Sequence, residues 1–116
     1  MKSQRDVHSR LQNPIIEQLV NRIIEKYEPE KIILFGSYAY GMPDSESDID
    51  LLLVKQTEER PIDRRITVRK LVSQLRKKKS FSPVVVTPDE LSRQIALGDD
   101  FFTEITTKGQ LLYEKR

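Results

Sequence analysis

Two short apolar runs, Ile32-Ile33-Leu34-Phe35 and Leu51-Leu52-Leu53-Val54, enclose a Gly36-Ser37 pair and, ten residues later, Asp48-Ile49-Asp50. Runs of this length, bounded by turn residues, predict two strands joined through a loop. Side chains alternate faces along a strand, so Asp48 and Asp50 point the same way, about 6.6 Å apart along the backbone. Ile49, Leu51 and Leu53 then face the other side. Aspartate is depleted in strands, and two on one face repel each other. A divalent ion offsets that repulsion directly. A glycine-serine turn lets backbone amides approach phosphates, and paired carboxylates supply the oxygen ligands that magnesium takes.

The rest of the chain narrows the class. Its 116 residues suit one domain, read as residues 1–116, and nothing in them resembles an interdomain linker. There is no cysteine, hence no disulfide framework and no thiolate metal site. No apolar run approaches the ~20 residues of a membrane span, and the start lacks a signal peptide's apolar core, which predicts a cytoplasmic protein with no membrane partner. The net charge of +2 is too small for a dedicated nucleic-acid binder, so direct nucleic-acid binding is not expected. The basic cluster Arg76-Lys77-Lys78-Lys79 reads first as the solvated last turn of a helix, and second as a contact for phosphates or an acidic partner. The single histidine, His8, precedes the first helix and reads as solvated.

Asn13-Pro14 opens a helix as cap and first-turn proline, followed by an apolar stripe from Ile15 to Tyr27. Glu28-Pro29-Glu30 breaks it before the strand Ile32–Phe35. The loop 38–47 leads to the strand Asp48–Lys55. Pro61 starts a helix expected to run to about Lys79, with Ile62, Ile66, Leu71, Val72 and Leu75 as its apolar residues. Ser82–Val86 is a third strand. Thr87-Pro88-Asp89-Glu90 has the form of a capping box and starts a short helix from Leu91 to Leu97. A helical turn or two over 100–107 and a last strand, Leu111–Tyr113, complete the order. The fold class is α+β, a small mixed sheet with helices packed on it.

The stretch from Ile33 to Val54 resembles the minimal nucleotidyltransferase branch of the polymerase-beta-like nucleotidyltransferase superfamily. Its motif is a glycine-serine turn, a spacer and an Asp-x-Asp on the next strand, which stands here as Gly36-Ser37, ten residues, Asp48-x-Asp50. The resemblance implies the palm fold of that superfamily, with ATP as substrate and Mg²⁺ as cofactor. It implies that Gly36 brings amides to the nucleotide phosphates and that the Ser37 hydroxyl donates to a terminal phosphate oxygen. Asp48 and Asp50 become the catalytic, metal-holding pair. Ser45 and Ser47 read as loop residues, Ser47 in a position to orient Asp48, and Tyr38 and Tyr40 as packing and rim residues.

Two positions depart from the family pattern. A third carboxylate usually stands on the strand before the Thr-Pro-[Asp/Glu]-Glu segment. Here Ser82 or Val84 occupies that place, depending on register. Tyr40 replaces an arginine found in many relatives. Three readings of the missing acid stay open. Asp44, Glu46, Asp89 or Glu90 folds into the gap; or the acceptor is a tyrosine phenol, with a pKa near ~10, which needs less help from a base; or the protein binds nucleotide without turning it over. Chains of this kind and length resemble antitoxins that transfer AMP from ATP to a tyrosine of a HEPN-domain ribonuclease toxin. The resemblance therefore implies an adenylyltransferase with a HEPN toxin as partner. The other class is a binding module that neutralises its partner sterically.

Overall fold

The structure, a computed structural model, describes residues 13–44, 46–76 and 78–116. His8, Ser45 and Lys77 lie outside the described residues. Among these residues the elements are α1 (Pro14–Tyr27), β1 (Lys31–Phe35), β2 (Ile49–Val54), α2 (Pro61–Leu71), β3 (Phe81–Val86), α3 (Pro88–Ala96), α4 (Asp100–Lys108) and β4 (Gln110–Glu114). The strands form a mixed sheet in the order β3-β2-β1-β4, in which β1 pairs antiparallel with β2 and β4, and β2 pairs parallel with β3.

Both faces of the sheet are covered, so the architecture is three layers. Ile32, Leu34, Ile49, Leu51, Leu53, Phe81 and Val85 pack against the stripe of α1 and against Val68 and Val72. Ile33, Leu52, Val54 and Val86 form a second, smaller core with Ile105 of α4. The helix ends follow their local chemistry. The Asn13 side chain accepts from Ile15 N and Ile16 N at 3.1 Å each. The Thr87 hydroxyl accepts from Glu90 N while a Glu90 oxygen accepts from Thr87 N. Gly109 ends α4 against β1, where an added Cβ would lie 2.5 Å from the Ile105 carbonyl and 2.6 Å from Ile33 Cγ2.

Two expectations fail in α2. The helix stops at Leu71 rather than near Lys79, and the chain then closes through three-residue turns, with Leu75 N bonded to Val72 O and Lys79 N to Arg76 O. The reason is length. Eleven helical residues span ~16 Å, close to the ~20 Å of the six-residue strands they cross. A helix reaching Lys79 would overshoot the sheet, and the chain could not return to the start of β3. The inward face differs in part: Val72 is buried and Leu71 and Leu75 pack on the core as expected, but Ile62 and Ile66 are exposed, and Arg64 and Val68 point inward. The segment 100–108, expected as a turn or two, is a full nine-residue helix capped by Asp99, whose side chain accepts from Phe102 N.

Arg64 explains the rotation of α2. Its guanidinium donates to the Glu59 and Val85 carbonyls and in two bonds, 2.7 and 3.1 Å, to the Glu90 carboxylate. Arg69 donates to the carbonyl of Phe81. These two carbonyls point away from β2, and Pro83 between them has no N–H to offer. The outer edge of β3 is thus closed against another strand. Glu90 serves both Arg64 and the α3 cap, and its carboxyl is held below the usual range, first by the Arg64 hydrogen bond.

Glu90→Ala should therefore remove the cap and leave the Arg64 charge buried alone. Breaking a buried pair typically costs ~3–5 kcal/mol; with Glu90 37% exposed, water carries part of the load, and we expect about 2 kcal/mol by urea unfolding. A depressed carboxyl contributes above its unfolded pKa, so the wild type should lose this advantage as pH falls through the folded value, and the two proteins should converge in acid. Equal stability at neutral pH would show that the pair contributes nothing.

Candidate active site

The site is assembled at the end of the sheet where β1 finishes and β2 begins. Gly36 ends β1 with φ +76, a left-handed conformation that costs other residues strain. Its carbonyl accepts from Ala39 N and Tyr40 N at 3.0 and 3.1 Å, and the Ser37 carbonyl from Met42 N at 3.1 Å. The chain therefore winds into consecutive turns directly after the strand, leaving Ser37 exposed. Asp48 lies one residue before β2 and is exposed; Asp50, inside β2, is half-buried. A Cβ on Gly36 would come within 2.2 Å of Asp50 Oδ2, so the glycine backbone lies directly against that carboxylate. Gly36 and Asp50 are in contact, and Ser37 and Asp48 follow and precede them at the same sheet end.

The register decides between the two positions for a third acid. Asp50 is flanked by Phe35 on β1 and Ser82 on β3, whereas Val84 stands one step further, beside Leu52. Residues paired across a sheet share a face, so the neighbour of the Asp50 carboxylate is Ser82. None of the four substitute acids fills the gap. Asp44 is bound within its own loop, accepting from Glu46 N and Ser47 Oγ. Glu90 is taken by Arg64, and Glu46 and Asp89 are exposed. Among the described residues no group of three acidic, histidine or cysteine side chains is gathered. Ser47 Oγ likewise serves Asp44, accepting from its N–H at 2.9 Å, and so bonds to Asp44 where an orienting role toward Asp48 was expected.

The electrostatics suit a cation. Burial raises the Asp50 pKa above the usual carboxylate value, and the Asp48 charge raises it further. Neither carboxylate is in an ion pair among the described residues. A two-carboxylate oxygen set, short of positive charge and open to solvent on the Asp48 side, fits magnesium, which is commonly held by one or two carboxylates with water and phosphates completing its shell. Beside Ser82, a cavity of about 610 Å³ runs along β3, walled by Arg65 of α2 and Gln94 of α3 and floored by Val84 and Val86. This cavity is not legible in the sequence, because its walls come from α2 and α3, two helices separated in the chain by β3.

Residues 17–116 match the protein family described as "Polymerase beta, Nucleotidyltransferase". Among curated proteins the chain is similar to "Putative protein adenylyltransferase MJ1305" of Methanocaldococcus jannaschii, 36% identical over 85 residues, which are 69% of this chain and 58% of that protein. It is also similar to "Putative protein adenylyltransferase MJ0604" of the same organism, 54% identical over 41 residues, 34% of this chain and 41% of that protein. The chain thus spans about half the length of these relatives. Among solved structures, a mutant of the toxin-antitoxin MntA-HpeT shares the fold, with a TM-score of 0.58 at 20% identity over 85% of this chain and 73% of that one.

Two outcomes follow from the contact between Gly36 and Asp50. Gly36→Ala should cost ~1–2 kcal/mol for its left-handed backbone and turn the Asp50 carboxylate aside, so that the protein folds but loses its response to Mg²⁺ in thermal melts. An unchanged Mg²⁺ response would mean that the contact does not position Asp50. Asp50→Asn should act in the opposite direction. A carboxyl with a raised folded pKa loses stability as pH climbs from the unfolded value through the folded one. Without divalent metal, Asp50→Asn should therefore melt a few degrees above wild type at pH 7, with the gap vanishing in acid. A lower Tm at pH 7 would contradict the burial and like-charge penalty assigned to the Asp50 carboxylate.

Proposed function

The chain belongs to the polymerase beta nucleotidyltransferase family, and on that premise we propose that it is a magnesium-dependent protein adenylyltransferase. It moves AMP from ATP to a tyrosine of a HEPN-domain toxin and so acts as an antitoxin. The observation that carries this reading is the Gly36 backbone lying against the Asp50 carboxylate, with Asp48 two residues away on the chain. The names of its two M. jannaschii relatives support the reaction class. The fold shared with MntA-HpeT accords with a toxin partner.

In this reading the amides of the Gly36-Ser37 turn and the Ser37 hydroxyl hold the terminal phosphates. Asp48 and Asp50 hold magnesium, which when bound polarises the phosphoryl oxygens as a Lewis acid. The phenolic oxygen forms a bond to the α-phosphorus, the bond from that phosphorus to the bridging oxygen breaks, pyrophosphate leaves, and the phenol proton passes to water. In-line displacement requires the acceptor to arrive opposite the leaving group. With pyrophosphate on the β1 side at Gly36-Ser37, the acceptor enters from the β3 side, where the cavity beside Ser82 lies. Ser82 is a poor base at neutral pH. A phenol, with a pKa near ~10, releases its proton far more readily than an alcohol does, so an acceptor of that class matches a site without a third carboxylate. No described helix is long and apolar enough to cross a membrane, and we read residues 1–116 as one cytoplasmic domain.

One observation favours a second reading. Ser82 stands beside Asp50, and among the described residues no third acid is gathered with Asp48 and Asp50, which suits a protein that neutralises its partner by binding alone. The two separate in one experiment, in which purified protein is incubated with Mg²⁺, α-labelled ATP and a co-expressed HEPN partner. Mass spectrometry of the intact chains should show one or more added AMP units on the partner, and none with Asp48→Asn or Asp50→Asn. A tight complex without transfer, and neutralisation that survives Asp48→Asn, would replace the enzyme by the binding module.

A further inference from the structure

The turn between α2 and β3 is basic, and the reaction so far makes no use of it. β2 and β3 run parallel, so both begin at the sheet end where β1 stops. Ile49 N donates to the Ser80 carbonyl at 2.8 Å, which fixes the end of this turn beside the start of β2, one residue from Asp48. Lys79 is thereby delivered to the sheet end that carries Gly36, Ser37 and Asp48. Its ammonium lies 5.8 Å from the centroid of the Tyr38 ring, and Tyr38 directly follows Ser37. Its backbone is held as well: Lys79 N donates to Arg76 O at 3.0 Å, and the Lys79 carbonyl accepts from Arg76 Nη1 at 3.4 Å. Among the described residues no carboxylate lies within 4.0 Å of the ammonium.

We propose that Lys79 binds the polyphosphate tail of a nucleoside triphosphate, its ammonium facing the Gly36-Ser37 turn across the terminal phosphates. The proposal rests on the reading of that turn as the phosphate-holding element. Charge supports it. Among the described residues the two carboxylates of the site have no cationic partner, and a triphosphate adds further negative charge that a magnesium ion neutralises only in part. A cation supplied by the chain makes up the difference. An aromatic face holds a partly exposed ammonium only weakly, so Tyr38 positions Lys79 while leaving it able to form a charge-assisted bond to a phosphate oxygen. Lys78, the exposed neighbour with φ +71, has no such platform and stays in solvent.

The test is titration calorimetry of the full chain with Mg²⁺-ATP and with AMP, which lacks the terminal phosphates. Lys79→Gln should weaken Mg²⁺-ATP about tenfold, the usual scale of one lost charge-assisted bond, and leave AMP unchanged. The loss should be greater at low salt. Lys79→Arg should bind within a few-fold of wild type, and Lys78→Gln like wild type. Mg²⁺-ATP binding that is unchanged in Lys79→Gln yet lost in Gly36→Ala sinks this proposal and leaves the phosphate turn standing. Equal weakening of AMP also sinks it, because the lysine then acts only through the fold. A wild-type protein that binds no Mg²⁺-ATP removes the phosphate turn and this proposal together.

Discussion

The close approach of the Gly36 backbone to the Asp50 carboxylate is the constraint around which this fold is arranged. It exists because β1 and β2 pair antiparallel in a register that sets Phe35 beside Asp50, so the residue after Phe35 must pass over the carboxylate. Only a residue without a side chain passes there. The two hydrophobic cores on either side of the sheet hold that register against slippage, since a shift by one residue would turn Leu51 and Leu53 out of one core and Leu52 and Val54 out of the other. The burial that makes Asp50 an uncomfortable carboxylate is thus a product of the same packing that makes β2 a central strand. Fold stability and readiness for a cation come from one arrangement.

Most of this architecture was legible because its signals are local. The cap at Asn13, the capping box at Thr87 and Glu90, and the strand on each side of the Gly-Ser turn, the second carrying Asp50, all lie within a few residues. Asp48, expected inside that strand, falls one residue before it. What escaped depends on contacts between residues far apart in the chain. Arg64 reads as a surface arginine in a helix; only the Val85 carbonyl and the Glu90 carboxylate, more than twenty residues on, make it an inward residue and leave Ile62 and Ile66 outside. The end of α2 escaped for a similar reason, since helical spacing continues past Leu71 and the limit is the length of the strands it crosses. The ambiguity between Ser82 and Val84 was one of register, and the pairing of β2 with β3 removes it.

The neighbourhood of Asp50 is asymmetric. On the β1 side stand an aromatic ring and the glycine-serine turn; on the β3 side stand a hydroxyl and an open cavity. This division follows from the topology alone, in which the central strand β2 carries Asp50, with Asp48 just before it, and each neighbour contributes a different chemistry. Of the acids that might have evened the balance, Asp44 is engaged in its own turn and Glu90 with Arg64.

The closed edge of β3 bears on how this surface can recognise another molecule. With two of its outward carbonyls already accepting from arginines and the intervening N–H absent, the strand has little backbone to share. Backbone pairing is nearly blind to sequence, whereas a surface that withholds it is read through side chains. A visitor to the cavity beside Ser82 is therefore selected by the shape and charge of its residues, and such a pair of surfaces can drift together in evolution until each accepts only its own counterpart.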